Sequence, residues 1–144
     1  MTLTFENVEC ETVLPEITRH CDQEVIDRYA VASLDYHPIH INPEWKKRHP
    51  NLPGGEATIV HGQMTMGFMA TVITDWSYAS GGKIRKLQAK YFRAVKVNDT
   101  VTAGAKVKEK HFHGPGKDYL VLDIFARNQD GEAVAAGTAE LLLP

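Results

Sequence analysis

Apolar and polar residues alternate with different periods in the two halves of the chain. Behind Asp22, a residue type that caps helix starts, apolar residues recur at helical spacing: Val25, Ile26, Tyr29 and Ala30. This helix should end before Pro38, because the residue preceding a proline is pushed out of the helical region. Upstream of it, residues 10–18 mix apolar and polar side chains and are compatible with a short strand.

Two further helices and a loop are predicted between residues 42 and 76. Asn42 and Pro43 open a short helix, with the asparagine as cap and the proline in the first turn. Residues 49–56 contain two prolines and two glycines and form a loop. From Gly62 to Trp76 the chain is apolar almost all round, which is typical of a helix that is buried rather than lying on the surface.

The second half of the chain has the pattern of an antiparallel sheet. Four segments read as strands, at residues 83–92, 100–112, 119–127 and 133–143, and turn residues separate each from the next. Within the second segment, Lys106, Lys108 and Lys110 alternate with other residues, which places all three on one face that we interpret as solvated. The whole pattern predicts one α+β domain, residues 1–144, with an antiparallel β-sheet wrapped around a long central helix.

Composition narrows the class of protein. A chain of 144 residues has room for one domain, and 43% hydrophobic with 24% charged residues is ordinary for a globular protein. A formal charge of −2 argues against a nucleic-acid partner. The first residues lack the features of a signal peptide, and the longest mostly apolar run, residues 64–73, is too short to span a bilayer. We therefore expect a cytoplasmic protein with no membrane partner, whose Cys10 and Cys21 are reduced thiols.

Asp35 and His40 are the first candidates for chemistry. They lie five residues apart across a turn stiffened by Pro38. Adding water to a carbon–carbon double bond needs a base for the water and an acid for the carbon, and these residue types are suited to both roles. The alternative is structural: Asp35 caps a turn, and His40 is a partly buried histidine satisfied by backbone groups.

A second candidate element opens the buried helix at Ile59-Val60-His61-Gly62-Gln63. A helix N-terminus presents unpaired N–H groups and the positive end of the helix dipole, and a glycine lets a ligand approach the backbone closely. Such a site could hold the oxyanion of a thioester carbonyl, the charge that develops during hydration. The alternative is that Gly62 merely permits tight packing at the helix start.

Three motifs occur in order along the chain. They are Tyr29-Ala30 continuing through Ser33-Leu34-Asp35-Tyr36-His37-Pro38-Ile39-His40, then Ile59-Val60-His61-Gly62, then Tyr91-Phe92-Arg93-Ala94-Val95-Lys96-Val97-Asn98-Asp99-Thr100. In this order they resemble the MaoC-like, R-specific enoyl-CoA hydratases. The resemblance implies a hot-dog fold that is normally dimeric and acts on acyl-CoA or acyl-carrier-protein thioesters. It implies no metal or redox cofactor. Coenzyme A or phosphopantetheine would be present only as part of the substrate.

The resemblance also assigns roles to residues. Asp35 and His40 match the catalytic pair, and Gly62 matches the glycine whose N–H binds the thioester oxygen; we group His61 and His37 with it as oxyanion and substrate-binding candidates. Leu34 and His37 stand where the family motif usually has glycine and asparagine, and Gln63 stands where methionine is common. A protonated His37 beside Asp35 would weaken the carboxylate as a base and add a pH dependence. These departures leave the acyl group of the substrate open.

Three other functions compete with a hydratase or dehydratase. His37 and His40, completed by His61 or Asp35, could bind zinc, but zinc would not explain Gly62. A hot-dog thioesterase usually carries its acid on or beside the central helix, where this chain offers only Asp75 near the far end. A non-catalytic acyl-binding subunit would have no need of both Asp35 and His40. The sequence therefore favours an enzyme that adds water to an enoyl thioester or removes it from a 3-hydroxyacyl thioester.

Overall fold

The protein is an antiparallel five-stranded sheet curled around one long helix. The computed structural model describes residues 1–144, and the strand order in the sheet is β1-β3-β4-β5-β2. The elements are β1 (Ile17–His20), α1 (Gln23–Ser33), α2 (Pro38–Ile41), α3 (Pro43–Lys47), α4 (Gly62–Ser77), β2 (Lys83–Tyr91), β3 (Thr100–His111), β4 (Tyr119–Arg127) and β5 (Ala133–Leu142). A turn of 3₁₀-helix, Tyr78–Ser80, follows α4. The predicted α+β architecture is confirmed.

The central helix α4 buries one side against the sheet. Met69, Val72 and Ile73 are at most 1% exposed and pack in a single core with residues of β3, β4 and β5. On the opposite side Gly67 and Thr74 are exposed, so the predicted burial of this helix holds for one face only. Even this helix, with 16 residues, falls short of the length that crossing a bilayer requires.

The strand predicted at residues 10–18 is displaced toward the C-terminus. The regular strand β1 pairs with the start of β3, with Ile17 opposite Ala103, whereas upstream only Val13 forms an isolated bridge to Lys106. Glu11 has a positive φ of 70° and Pro15 has no N–H to donate, and both interrupt a ladder. This part of the chain is an irregular edge along β3.

The three lysines of β3 do not share one face, because the register shifts between Val107 and Glu109. Before this bulge Lys106 is opposite Asp123, but after it Lys110 is opposite the buried Leu120. The Lys110 ammonium consequently lies 4.7 Å from the ring centroid of Phe5. The prediction of one solvated lysine face is therefore wrong for Lys110.

Both cysteines are free thiols, as predicted, but their surroundings differ. Cys10 is exposed, whereas Cys21 is fully buried. Burial raises the pKa of the Cys21 thiol to about 11, with a further contribution from Asp99 and Asp22. Reactivity toward thiol reagents is consequently confined to Cys10 in the folded protein.

Candidate active site

The end of α1 presents the Asp35 carboxylate to the site. The helix stops at Ser33 because Leu34 adopts the left-handed conformation, with φ 61°, at the position where the resembled motif has glycine. The Asp35 Oδ1 atom then accepts a hydrogen bond from the His37 N–H at 3.2 Å, which fixes the carboxylate in a local turn. The other oxygen, Oδ2, remains free to face the histidines, and the side chain is about half exposed, at 52%.

His40 lies on α2, a single helical turn where we expected only a stiffened turn of chain. Pro38 occupies its first turn, and the His37 side chain caps it. The His40 Nδ1 atom is 2.7 Å from the Ile59 carbonyl oxygen, which can only accept, so Nδ1 carries the hydrogen. The Nε2 atom of a neutral His40 is therefore an acceptor, and it lies 3.7 Å from Asp35 Oδ2.

The electrostatic surroundings of His40 favour its neutral form. Burial lowers the pKa of this imidazole below its ordinary value of 6.5, and the neighbouring His61 and His37 add to the effect. The hydrogen bond to the Ile59 carbonyl and the charge of Asp35 act in the opposite direction. The net lowering leaves Nε2 unprotonated and able to accept a proton near neutral pH.

Two residues that the sequence analysis did not identify hold the backbone of His40. The Gln23 side chain donates to the His40 carbonyl oxygen at 2.9 Å and accepts from the Thr58 hydroxyl at 2.7 Å. Gln23 opens α1 and Thr58 is buried just before Ile59, so the pair ties two distant segments to α2. Neither belongs to a recognisable motif, and only their proximity in space identifies them.

His61 contacts Asp35 and His40 from inside the protein. It is the residue that precedes α4, it is only 2% exposed, and its Nε2 atom donates to the Asp35 carbonyl oxygen at 3.0 Å. Its ring stacks on that of His40, with 3.8 Å between centroids and 19° between planes. Its Nδ1 atom is buried without a partner. His61 therefore touches both members of the pair rather than an open substrate surface.

Gly62 begins α4 with free backbone donors. The N–H groups of Gly62 and Gln63 have no acceptor in the protein, and His61 makes no side-chain cap. A Cβ added to Gly62 would lie 3.4 Å from the Tyr91 ring, an ordinary contact, so packing alone does not require a glycine here. Gly62 also lines a cavity of about 340 Å³ whose other walls include Pro53, Thr65 and Phe92.

His37 lies at the edge of this arrangement. Its Nδ1 atom accepts from the Ile39 N–H at 3.1 Å, and its ring meets Trp45 edge-on at 5.7 Å between centroids. The rings of His37 and His40 are 6.4 Å apart. An asparagine, the residue of the resembled motif, could make the same cap through its side-chain oxygen, which explains why the two types exchange here.

The residues that come together with metal-ligand spacing are Asp35, His40 and His61, whose ligand atoms lie within 4.8 Å of one another; His37 is not among them. A metal ion must lie in the plane of each ligating imidazole, yet the stacked rings of His40 and His61 have nearly parallel planes 3.8 Å apart. Ligation by His61 Nε2 would also break its hydrogen bond to the Asp35 carbonyl. The arrangement fits a proton-transfer pair better than a metal centre.

The geometry is suited to holding one water molecule beside an oxyanion site. The 3.7 Å between Asp35 Oδ2 and His40 Nε2 is too long for a direct hydrogen bond, but a water about 2.8 Å from each could donate to both. The free N–H groups at the start of α4 lie next to His61, which contacts both residues. The site can therefore take a proton from water and stabilise a developing negative charge.

Comparisons with known proteins agree with this architecture. A sequence model of the family described as "MaoC like domain" matches residues 4–123. The chain is similar to the solved (R)-hydratase from A. caviae involved in PHA biosynthesis (20% identity, TM-score 0.84, covering 96% of this chain and 99% of that one). It is also similar to R-hydratase PhaJ1 from Pseudomonas aeruginosa (20%, 0.85, 99% and 86%). A third similar structure is the HadBC (3R-hydroxyacyl-ACP dehydratase) complex from Mycobacterium tuberculosis (17%, 0.74, 92% and 95%).

These structural likenesses show a shared fold, the hot-dog fold predicted above. No curated protein matches the chain by sequence.

Proposed function

The chain belongs to the MaoC-like domain family, and on that premise we propose that it adds water to a trans-2-enoyl thioester, or removes water from an (R)-3-hydroxyacyl thioester. The observation that supports this most directly is the approach of Asp35 Oδ2 to within 3.7 Å of His40 Nε2, a separation that suits one shared water. The free N–H of Gly62 supplies the complementary donor for the thioester oxygen.

In the hydration direction, the water oxygen attacks C3 of the enoyl group while Asp35 and His40 accept hydrogen bonds from its two protons. One O–H bond of the water breaks, Asp35 acts as the base, and His40 relays the proton. The electron pair of the double bond moves toward the thioester carbonyl, whose oxygen becomes negatively charged. The Gly62 N–H and the dipole of α4 stabilise that charge. The proton that Asp35 took from the water passes through His40 to C2, where it forms the new C–H bond; this completes the addition of water and returns Asp35 and His40 to their starting forms.

The cavity of about 340 Å³ is our candidate for the part of the site that holds the rest of the substrate. Gly62 and Tyr91 line it, and Arg93 is at its wall, whereas Asp35 and His40 are not among its lining residues. We assign to this cavity the thioester side of the substrate, next to the Gly62 N–H, rather than C3, the carbon that the water attacks. Coenzyme A or a phosphopantetheine arm enters as part of the substrate, and the reaction as proposed uses no metal or redox cofactor.

A thioesterase is less compatible with this site. The one carboxylate on α4 is Asp75, which is exposed near the C-terminal end of the helix, far along the chain from Gly62. No acid on the central helix therefore faces the oxyanion donors. A non-catalytic subunit would not require the bond that sets the His40 tautomer.

The decisive experiment is a hydration assay with crotonyl-CoA, followed by loss of enoyl absorbance and by chiral analysis of the product. We expect (R)-3-hydroxybutyryl-CoA to form, with Asp35→Asn as the matched inactive control. Release of free coenzyme A thiol instead would identify a thioesterase, and no reaction with short, long or branched enoyl thioesters would overturn the proposal. That the protein forms a homodimer, and that it lies in the cytoplasm, are still predictions. Light scattering would test the first of them.

A further inference from the structure

Lys46 on α3 is the one charged side chain that the fold buries completely, with 0% of its surface exposed. No carboxylate lies close enough to form an ion pair with it. Its ammonium donates instead to the carbonyl oxygens of Leu52, at 3.4 Å, and of Gly55. Removing an ammonium from water is costly, and a methionine of similar length would fill the space without that cost. The charge therefore calls for an explanation beyond packing.

The two carbonyl groups belong to the loop at residues 48–58 and flank its tip at Pro53 and Gly54. Pro53 lines the cavity that also contains Gly62. Gly54 has φ +88° and packs so closely on the Ile59 side chain that a Cβ there would overlap it. Lys46 thus clamps the loop on both sides of the two residues that connect it to the site.

Ile59 carries the effect of this clamp to the catalytic histidine. Its N–H donates to the Ile39 carbonyl at 3.1 Å, and its own carbonyl accepts from His40 Nδ1 at 2.7 Å. The position of the Ile59 carbonyl sets which nitrogen of His40 carries the hydrogen. A loop free to shift would loosen this bond and let the neutral ring populate both tautomers.

We infer that Lys46 is a positioning residue, whose buried ammonium fixes the 48–58 loop and thereby holds Pro53 at the cavity and the Ile59 carbonyl against His40. The catalytic half of this inference rests on the proposed hydratase function. The loop half does not, because it concerns only the order of the backbone. Measurements of backbone order and of activity therefore test the effect of Lys46 on the loop and its effect on His40 separately.

The loop is tested by hydrogen exchange of residues 48–57 in Lys46→Met and in Lys47→Met. The second variant is the matched control, since Lys47 is its neighbour on α3 but is 60% exposed and paired with Glu44. We expect faster exchange of the Leu52, Gly55 and Ala57 amides, which are hydrogen-bonded within the loop, in Lys46→Met alone. Equal protection in the two variants would overturn the inference whether or not the protein is a hydratase.

Chemical rescue separates the role of the charge from that of the side-chain volume. Lys46→Ala lacks three methylenes and an ammonium, the equivalent of n-propylammonium, and 1-propanol is the neutral control of similar size. We expect n-propylammonium to restore loop protection and activity, and 1-propanol to restore neither. Equal recovery with the two compounds would show that Lys46 only fills space.

The value of kcat and its pH dependence in Lys46→Met should change if Lys46 positions His40, but not if Lys46 only fills space. In Lys46→Met we expect kcat to fall roughly 10- to 100-fold, the scale of a misplaced catalytic group, with a smaller change in KM. The acid limb of kcat should also move to lower pH, because the Ile59 bond raises the pKa of His40, while Asp35, His37 and His61 still face the ring. A Lys46→Met enzyme with an unchanged limb and kcat would refute the link to His40.

Discussion

The imidazole rings of His40 and His61 stack with 3.8 Å between centroids, and His61 also donates to the carbonyl oxygen of Asp35 at 3.0 Å. One buried side chain therefore restrains both proposed catalytic residues, although they approach from different segments. Burial lowers the pKa of His40 below its ordinary value, and the imidazole of His61 that lies against it adds to the effect, so the neutral form of His40 is favoured. This arrangement gives the site a proton acceptor near neutral pH.

Single and double substitutions of Asp35 and His40 test the shared water. Asp35→Asn keeps an oxygen that can accept from the His37 N–H, so the turn should persist. We expect a loss of roughly 10²–10⁴-fold in kcat, the usual contribution of a positioned base, and a similar loss for His40→Ala. Since one water serves both, the double variant should be little worse than either single variant.

The matched measurement for this series is thermal unfolding of all three variants. Unchanged melting temperatures would assign the kinetic losses to chemistry rather than to folding. Multiplicative losses in the double variant would show that the two residues act independently, which contradicts the mechanism.

Gly62→Ala distinguishes a functional glycine from a structural one. The new Cβ would make an ordinary 3.4 Å contact with Tyr91, and alanine favours a helix, so stability should be unchanged or slightly higher. The methyl group would stand at the cavity beside the free N–H, and displacing the thioester by about 1 Å should lower kcat/KM roughly 10²-fold.

The control for this substitution is Gly67→Ala on the same helix, where a Cβ would meet nothing within 4 Å. It should be equally well folded and keep its activity toward crotonyl-CoA. Unfolding of Gly62→Ala would contradict the expected stability and show a structural glycine. Activity equal to that of Gly67→Ala would show that the oxyanion role of Gly62 is wrong.

Much of the framework follows from local sequence signals. The apolar run from Gly62 onward predicted α4 to within one residue of its end at Ser77, and Asn42 with Pro43 predicted the start of α3. These succeed because the cap, the proline and the apolar period all act within a few residues of one another. Asp35 and His40 could be predicted as site residues for the same reason, because they are only five residues apart in the sequence.

The features that the sequence did not reveal depend on contacts across the chain. Gln23 reaches the His40 carbonyl from α1, and Lys46 is buried by a loop that closes over it. Leu34 gives no local sign that it takes a left-handed conformation, which glycine adopts far more readily. The bulge near Lys108 likewise shifts the alternation of β3 without a marker in the sequence.

Removal of metal ions provides a test of the remaining alternative. The stacked rings of His40 and His61 do not direct their lone pairs to one point, so we expect prolonged chelation to leave kcat and the melting temperature unchanged. Metal content of the purified protein should be far below one ion per chain. A stoichiometric zinc ion whose removal abolishes activity would replace the proton-transfer mechanism with a metal-assisted one.

The pH dependence of kcat separates the contributions of His40 and His37. The proposed mechanism requires neutral His40, so we expect kcat to fall on the acid side with a midpoint below 6.5, because burial lowers the pKa of His40. The folded protein also binds this proton less well than the unfolded chain, so the free energy of unfolding should decline as the pH falls below about 6.5. His40→Ala should remove that part of the decline.

In His37→Asn, the asparagine oxygen can still accept from the Ile39 N–H, so α2 should keep its cap and the melting temperature should not change. From the sequence alone, a protonated His37 beside Asp35 would weaken the base and add a pH dependence, which this substitution would remove. With the rings of His37 and His40 6.4 Å apart, we instead expect the limb to persist and to move slightly to higher pH, because one like charge that lowers the pKa of His40 is gone. The measurement is kcat from about pH 5 to pH 8 for both proteins. A His37→Asn enzyme without an acid limb would show that the limb is due to His37. It would contradict our assignment of the limb to His40.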